Sequence, residues 1–219
     1  MAADRTTDRP IDVASQLRAD ILAGEFAPGE RLVEMQLCER YQVGRAAIRL
    51  ALVELDAEGL VDREANRGAS VRRISVREAV QITEARAALE SLIAAAAARE
   101  ATDEERAELL DIEVQMRDAV GRGAHLEYSD LNALLHRRVR EISRHEVAGD
   151  LVAMLRNRSA RHQYRLALMP GRPAESLEQH AAIIRAVVRA DEAGAAAAMN
   201  AHLLSVIDVL RHWGDYPAA

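Results

Sequence analysis

Apolar residues recur every three or four positions along most of the chain, the spacing that lays one apolar stripe on an α-helix. "IDVASQLRADILAG", "MQLCERY" and "RAAIRLALVELDAEG" all keep it, and in the last of these Ile48, Leu52 and Leu55 fall on one face. Two short runs, "GLVDR" and "ASVRR", read instead as β-strands, with "EANRGAS" (64–70) as the turn between them. "GEFAPGERL" (24–32) is a Gly/Pro-rich turn between helical patterns. From Ser75 onward strand signals almost vanish, and long helical periods are broken at "EATDEE", "GRGAH", "SRHEV", "MPGRPAES" and "RADEAG". Ser75 with Glu78 and Thr102 with Glu105 fit capping boxes, and Asp191 is placed to cap the last helix. The pattern predicts a mainly α protein: a tail (1–10), three helices with a hairpin (11–73), an all-α domain of about six helices (74–213) and a second tail (214–219).

Composition supports helix over sheet. Ala, Leu and Val dominate a hydrophobic fraction of 49%, and aromatic residues are only 3%. The longest alanine-rich run, "SLIAAAAARE", is closed by charge, so no membrane span is expected, and "MAADRTTDRP" lacks the apolar core of a signal peptide. The lone Cys38 fits a reducing cytoplasm and reads as a small buried residue. All 29 basic residues are arginine, which codon usage explains as readily as function does.

Helix, tight turn ("QVG"), helix and a two-stranded wing describe a winged helix-turn-helix. Arg45 and Arg49 form a stripe beside the apolar one, near the helix end that enters the DNA major groove in such modules. Guanidinium forks there suit guanine edges and phosphates. Arg31 and the wing residues Asn66, Arg67 and Gly68 would flank them. Residues 1–75 hold 11 Arg against 13 Asp and Glu, a balance of −2, so DNA binding must rest on a local patch.

This segment resembles the DNA-binding domain of GntR-type bacterial transcription regulators. "GEFAPGERLVEMQLCERYQVGRAAIRLALVELDAEGLV" and "RGASV" follow the family pattern over about 60 residues. Gly44, Ala46, Ala47 and Leu50 replace the usual Ser, Thr, Pro and Glu, so the preferred operator should differ from the family norm. The resemblance implies a homodimer acting as a repressor on a two-fold-symmetric site in double-stranded DNA.

Among seven histidines, His125, His145, His162 and His212 sit beside charges, glycine or helix ends and are expected at the surface. The others point inward. In "LNALLHRRV", Asn132 and His136 are four apart on one helix face. His180 shares its face with Ile183, Ile184 and Val187, and His202 shares its own with Ala198, Val206 and Val209. Such residues are either hydrogen-bonded core histidines or, with the amide oxygen, a site for Zn²⁺, Ni²⁺ or Mn²⁺ with an open position.

"EARAALESLIAAAAA", "LNALLHRRVREIS" and "ESLEQHAAIIRAVVRADEAGAAAAMNAHL" resemble the FCD ligand-binding domain of the FadR branch, in its six-helix, VanR-like form. That likeness implies Asn132, His136, His180 and His202 as metal ligands, with Asn132 where Asp is common. It also implies that Arg86 faces the effector pocket and that the effector is a small carboxylate. The alternative for Arg86 is an ion pair with Glu90 at the i, i+4 spacing. Two other functions compete: a metal-dependent hydrolase, for which no general base is evident, and a helical interaction scaffold, which leaves the inward histidines unexplained.

Overall fold

The structure is a computed structural model that describes residues 12–64, 68–167, 169 and 171–212, the side chains of 64, 157 and 159–167 excepted. Both expected tails, Asn66, Arg67 and the His162 side chain lie outside the described residues. The fold is mainly α and divides into two compact units, Met1–Arg73 and Ile74–Ala219.

In the first unit, α1 (Val13–Ala23) starts at Asp12, whose carboxylate accepts from Ser15 N–H at 3.1 Å, and ends at Gly24 in the left-handed region. Next come β1 (Arg31–Leu32), α2 (Glu34–Tyr41), α3 (Arg45–Ala57), β2 (Val61–Glu64) and β3 (Gly68–Val71). Ile48, Leu52 and Leu55 of α3 are buried as their spacing demands, against Leu17 and Ile21 of α1 among others. The wing is a three-stranded antiparallel sheet ordered β1-β3-β2, with Arg31 opposite Ser70 and Glu64 opposite Gly68. Strand β1 is absent from the sequence reading, because two residues inside a Gly/Pro turn become a strand only by pairing with β3, far along the chain. Cys38 is half-buried, not buried as expected, since Leu37 and Tyr41 take the inner face of α2.

Gly29 in the turn before β1 has φ +79° and donates to Val71 O at 2.7 Å. A Cβ there would fall 1.8 Å from Arg73 Nε, displacing a side chain that itself donates to Pro28 O. Gly29→Ala is expected to cost the winged unit ~1–2 kcal/mol from the left-handed backbone alone, read as a lower urea midpoint.

The second unit holds six helices among the described residues: α4 (Val76–Glu100), α5 (Asp103–Gly121), α6 (His125–Ile142), α7 (Glu146–Ala167), α8 (Arg172–Val188) and α9 (Glu192–Arg211). Thr102 and Glu105 complete a capping box on α5. Ser75 accepts from Glu78 N–H, and Asp191 accepts from Gly194 N–H. One continuous core joins Ile93 and Ala97 of α4, Leu109 and Met116 of α5, Leu135 and Val139 of α6, Ile183 and Ile184 of α8, and Met199 and Leu203 of α9. By length and apolar content α9 could cross a bilayer, which the sequence reading passed over. Here it packs along α4 and α8, with Ala195, Met199, Leu203 and Ile207 buried. That buried line runs one residue off the expected one, leaving Ala198, Val206 and Val209 half-buried. His202 is buried at the edge of this line and contributes to a cavity wall.

Candidate nucleic-acid interface and metal centre

Helix α3 begins at Gly44, which offers no side-chain cap, so its first turn presents bare backbone with Arg45, Ala46 and Ala47 exposed. Arg45 Nη2 lies 2.7 Å from Met35 Sδ. Arg49, a turn further on, gives its Nε edge to both Glu34 oxygens at 3.0 and 3.1 Å and is 63% exposed. The groove between α3 and the wing is lined by Arg31, Arg49, Arg63 and Gly68, with Glu34 and Asp56 also on it. Gly68 has φ +90°, and a Cβ there would stand 3.8 Å from the Arg31 guanidinium. Arg31, Arg49 and Gly68 thus share this groove, while Arg45, one turn earlier on α3, lies against Met35. Arg63 joins the groove unforeseen, because its exposure on β2 follows from strand register.

In the second unit, α6, α8 and α9 bring His136, His180 and His202 together. All three are buried, and one ligating atom from each lies within 4.8 Å of the others. Ring centroids are 5.4 Å apart for His136–His180 and His136–His202, and 4.4 Å for His180–His202. Each ring is held through Nδ1 by a different neighbour: His136 by Glu90 Oε2 at 2.8 Å, His180 by the Tyr128 hydroxyl at 3.1 Å, and His202 by Gln179 Oε1 at 2.9 Å. An ionised Glu90 only accepts, so His136 Nδ1 carries the proton and its Nε2 lone pair is left over. His180 Nε2 and Asn132 Oδ1 are buried with no hydrogen-bond partner among the described residues. Buried polar atoms are rarely left so, and two such atoms at a histidine cluster fit the donor set of a divalent cation.

Electrostatics agree with neutral, ligand-ready rings. Burial pushes all three histidines down, against an upward pull from Glu90 at His136; His180 and His202 fall well below the usual range, with neighbouring imidazoles adding to the effect. At Glu90, burial pushes upward, but Arg86 first and then His136 outweigh it and hold the carboxyl well below the usual range. Arg86 Nε donates to Glu90 Oε1 at 2.7 Å, and both side chains are 4% exposed. The two readings of Arg86 are therefore compatible: it pairs with Glu90 and also lines the cavity. Arg156, from α7, stands 3.9 Å from Glu90 and is pulled down to about 10 by burial and by Arg86.

The cavity beside the histidines is small and partly open, about 50 Å³. Arg86, Arg156, Arg172, Asn132, His136 and His202 contribute to its wall. Tyr128, Gln179, Arg156 and Arg172 were not singled out from sequence, and Glu90 was read only as an ion-pair partner of Arg86. The signal available for Glu90 was an acid four residues after Arg86 on a stripe continuing through Ile93 and Ala97, an ion pair on an apolar face. Of the expected surface histidines, His125 and His212 are exposed, whereas His145 is half-buried, its Nδ1 3.3 Å from Ala148 N–H at the start of α7.

The chain thus carries a winged helix-turn-helix and a helical bundle around a polar cavity, two units that known protein families also separate. The family described as "Bacterial regulatory proteins, gntR family" matches residues 11–71, and the FCD domain matches residues 81–205. The chain belongs to the GntR family of transcriptional regulators, with an FCD domain, a family of regulators and not of enzymes. It is 31% identical to the uncharacterized HTH-type transcriptional regulator BphR of Paraburkholderia xenovorans (strain LB400), over 91% of this chain and 84% of that protein. It is 28% identical to the HTH-type transcriptional repressor RspR of Escherichia coli (strain K12), over 89% of this chain and 86% of that protein. In fold it is similar to E. coli McbR/YncC, with a TM-score of 0.79 at 20% identity, covering 92% of this chain and 96% of that one.

Proposed function

We propose that this regulator is a cytoplasmic homodimeric repressor that binds a two-fold-symmetric operator and is controlled by a small carboxylate coordinated through a divalent metal. The observation that carries the metal is the arrangement of the three imidazoles. Each is held at Nδ1 by a separate group, and a buried, partnerless Asn132 oxygen lies beside them. Three neutral nitrogens and one neutral oxygen suit Zn²⁺ or Ni²⁺, and Mn²⁺ less well, because the usual first-ligand charge is missing. Glu90 supplies negative charge one step back, through His136, which raises that ligand's basicity. A bound ion would offer an open Lewis-acidic position to a carboxylate oxygen, and Arg86 beside it would take the second oxygen.

Arg31, Arg45 and Arg49, with Asn66, Arg67 and Gly68 of the wing, are the proposed DNA contacts. Repression takes support from the name of RspR. Effector binding would favour one arrangement of the helical domains, and coupling of ~1–3 kcal/mol would suffice to release the operator.

The test is metal content of protein purified without a tag or chelator, beside His180→Ala. We expect about one divalent ion per chain in the wild type, since the three-histidine set binds one ion, and almost none in the variant. No ion, and no uptake on titration with Zn²⁺ or Ni²⁺, would reduce the histidines to hydrogen-bonding supports of the cavity.

A further inference from the structure

We propose that the effector carries two acidic groups, the second bound by Arg172 at the start of α8. The inference rests on reading the cavity as a metal-assisted carboxylate site. Arg172 is 7% exposed and lines the same cavity as Arg86, Asn132 and His202. Its Nη1 is occupied by Ser205 Oγ at 2.6 Å and Glu175 Oε1 at 3.2 Å. Its Nη2 is buried and has no partner among the described residues.

A guanidinium is always charged, and a buried N–H of such a group without an acceptor is costly, so the position calls for an acceptor that arrives with the ligand. Its place in the fold favours an anion. Arg172 is the first residue of α8, after Gly171 at φ 80° and before Pro173, and no side chain caps this helix start. The positive end of the helix dipole and the guanidinium therefore act together. Ser176, one turn on, is buried and lines the cavity too, its hydroxyl hydrogen-bonded to Tyr128.

Charge points the same way. Arg86, Arg156 and Arg172 stand on the cavity wall. Among the described ion pairs, Glu90 is committed to Arg86 and His136, and the exposed Glu175 touches Arg172 from outside. A monocarboxylate on the metal and Arg86 would leave Arg172 Nη2 unmet, whereas a second acidic group would satisfy it.

The experiment is calorimetric titration of the full-length, zinc-loaded protein with acetate, malonate, succinate and phosphoglycolate. The last probe separates a phosphate from a carboxylate as the second group. Wild type should bind the best diacid at least ~10-fold more tightly than acetate, the worth of one charge-assisted hydrogen bond. Arg172→Gln should erase that preference while leaving acetate affinity within ~2-fold of wild type, one bond being lost for the diacids only. Arg172→Lys, which keeps the charge and not the fork, should retain part of the preference and serves if the glutamine variant does not fold. Equal affinity for acetate and every diacid in wild type would overturn the inference, and so would an Arg172→Gln loss shared equally by all probes. Binding of none of the four, acetate included, would overturn the carboxylate-site reading itself and this inference with it.

Discussion

Glu90→Ala should destabilise the helical domain by ~3–5 kcal/mol, the usual cost of removing one partner from a buried ion pair. It should also weaken zinc binding by ~10–100-fold, as loss of an outer-shell acceptor does. The carboxylate holds two buried groups, Arg86 through one oxygen at 2.7 Å and His136 through the other at 2.8 Å, with Arg156 at 3.9 Å. Removing it leaves Arg86 without its ion-pair partner, frees His136 to change tautomer, and removes an acid 3.9 Å from Arg156. Glu90→Gln should fall between the two, because an amide oxygen still accepts one of the two bonds but brings no charge. The sign with pH follows from a carboxyl held below its ordinary value: its contribution is fully present above ~4.3 and is lost as the pH falls through the folded-state value. The alanine deficit should therefore be undiminished at neutral pH and shrink only under acid conditions. Urea unfolding of metal-free protein measures the stability loss, and zinc titration in competition with a chromophoric chelator measures the affinity. A stability loss under ~1 kcal/mol would mean that water replaces the carboxylate, and that the site is wetter than the burial of Glu90 implies.

Much of this was legible in the sequence, and the division between what was and was not has a physical cause. Helix periods, caps and the Asn132–His136 pair are written over a few consecutive residues, so the wing, the helix starts and the inward direction of each histidine can be read locally. The likeness to a regulator family then supplied the grouping of three helices that periodicity cannot give. What could not be read are the partners: Tyr128 for His180, Gln179 for His202 and Glu90 for His136, the last pair 46 residues apart in sequence. Such pairs depend on the axial offset of neighbouring helices, which no local pattern encodes. Strand β1 escaped for the same reason. Glu90 is instructive because half its role was visible, as the i, i+4 partner of Arg86, while the half that reaches His136 exists only once α4 and α6 pack together.

On the DNA side, Arg45→Ala and Arg49→Ala should each weaken operator binding by ~1–3 kcal/mol per half-site, and by about twice that in a dimer engaging both. Each module carries more acid than base, so few cations are available to replace a lost one. The two arginines should differ in kind. Arg49 already spends its Nε edge on Glu34, which leaves the outer nitrogens of the fork oriented toward the groove it lines with Arg31, Arg63 and Gly68. Arg45 at the bare start of α3 has, among the described residues, a sulfur contact in place of an ion pair and is freer to follow a base edge. If Arg49 clamps a phosphate, its removal should lower affinity on every sequence alike and reduce the slope of log K against log salt by ~0.9 per contact. If Arg45 reads a base, its removal should leave that slope unchanged and relax preference at one operator position on each side of the dyad. Fluorescence anisotropy across a salt series, on the selected operator and on a scrambled duplex, separates the two. Should Arg49→Ala hold its affinity within ~2-fold and keep its salt slope, the Glu34 pair would be the whole of its role, as exposed ion pairs often are, and recognition would have to pass to Arg45 and the wing.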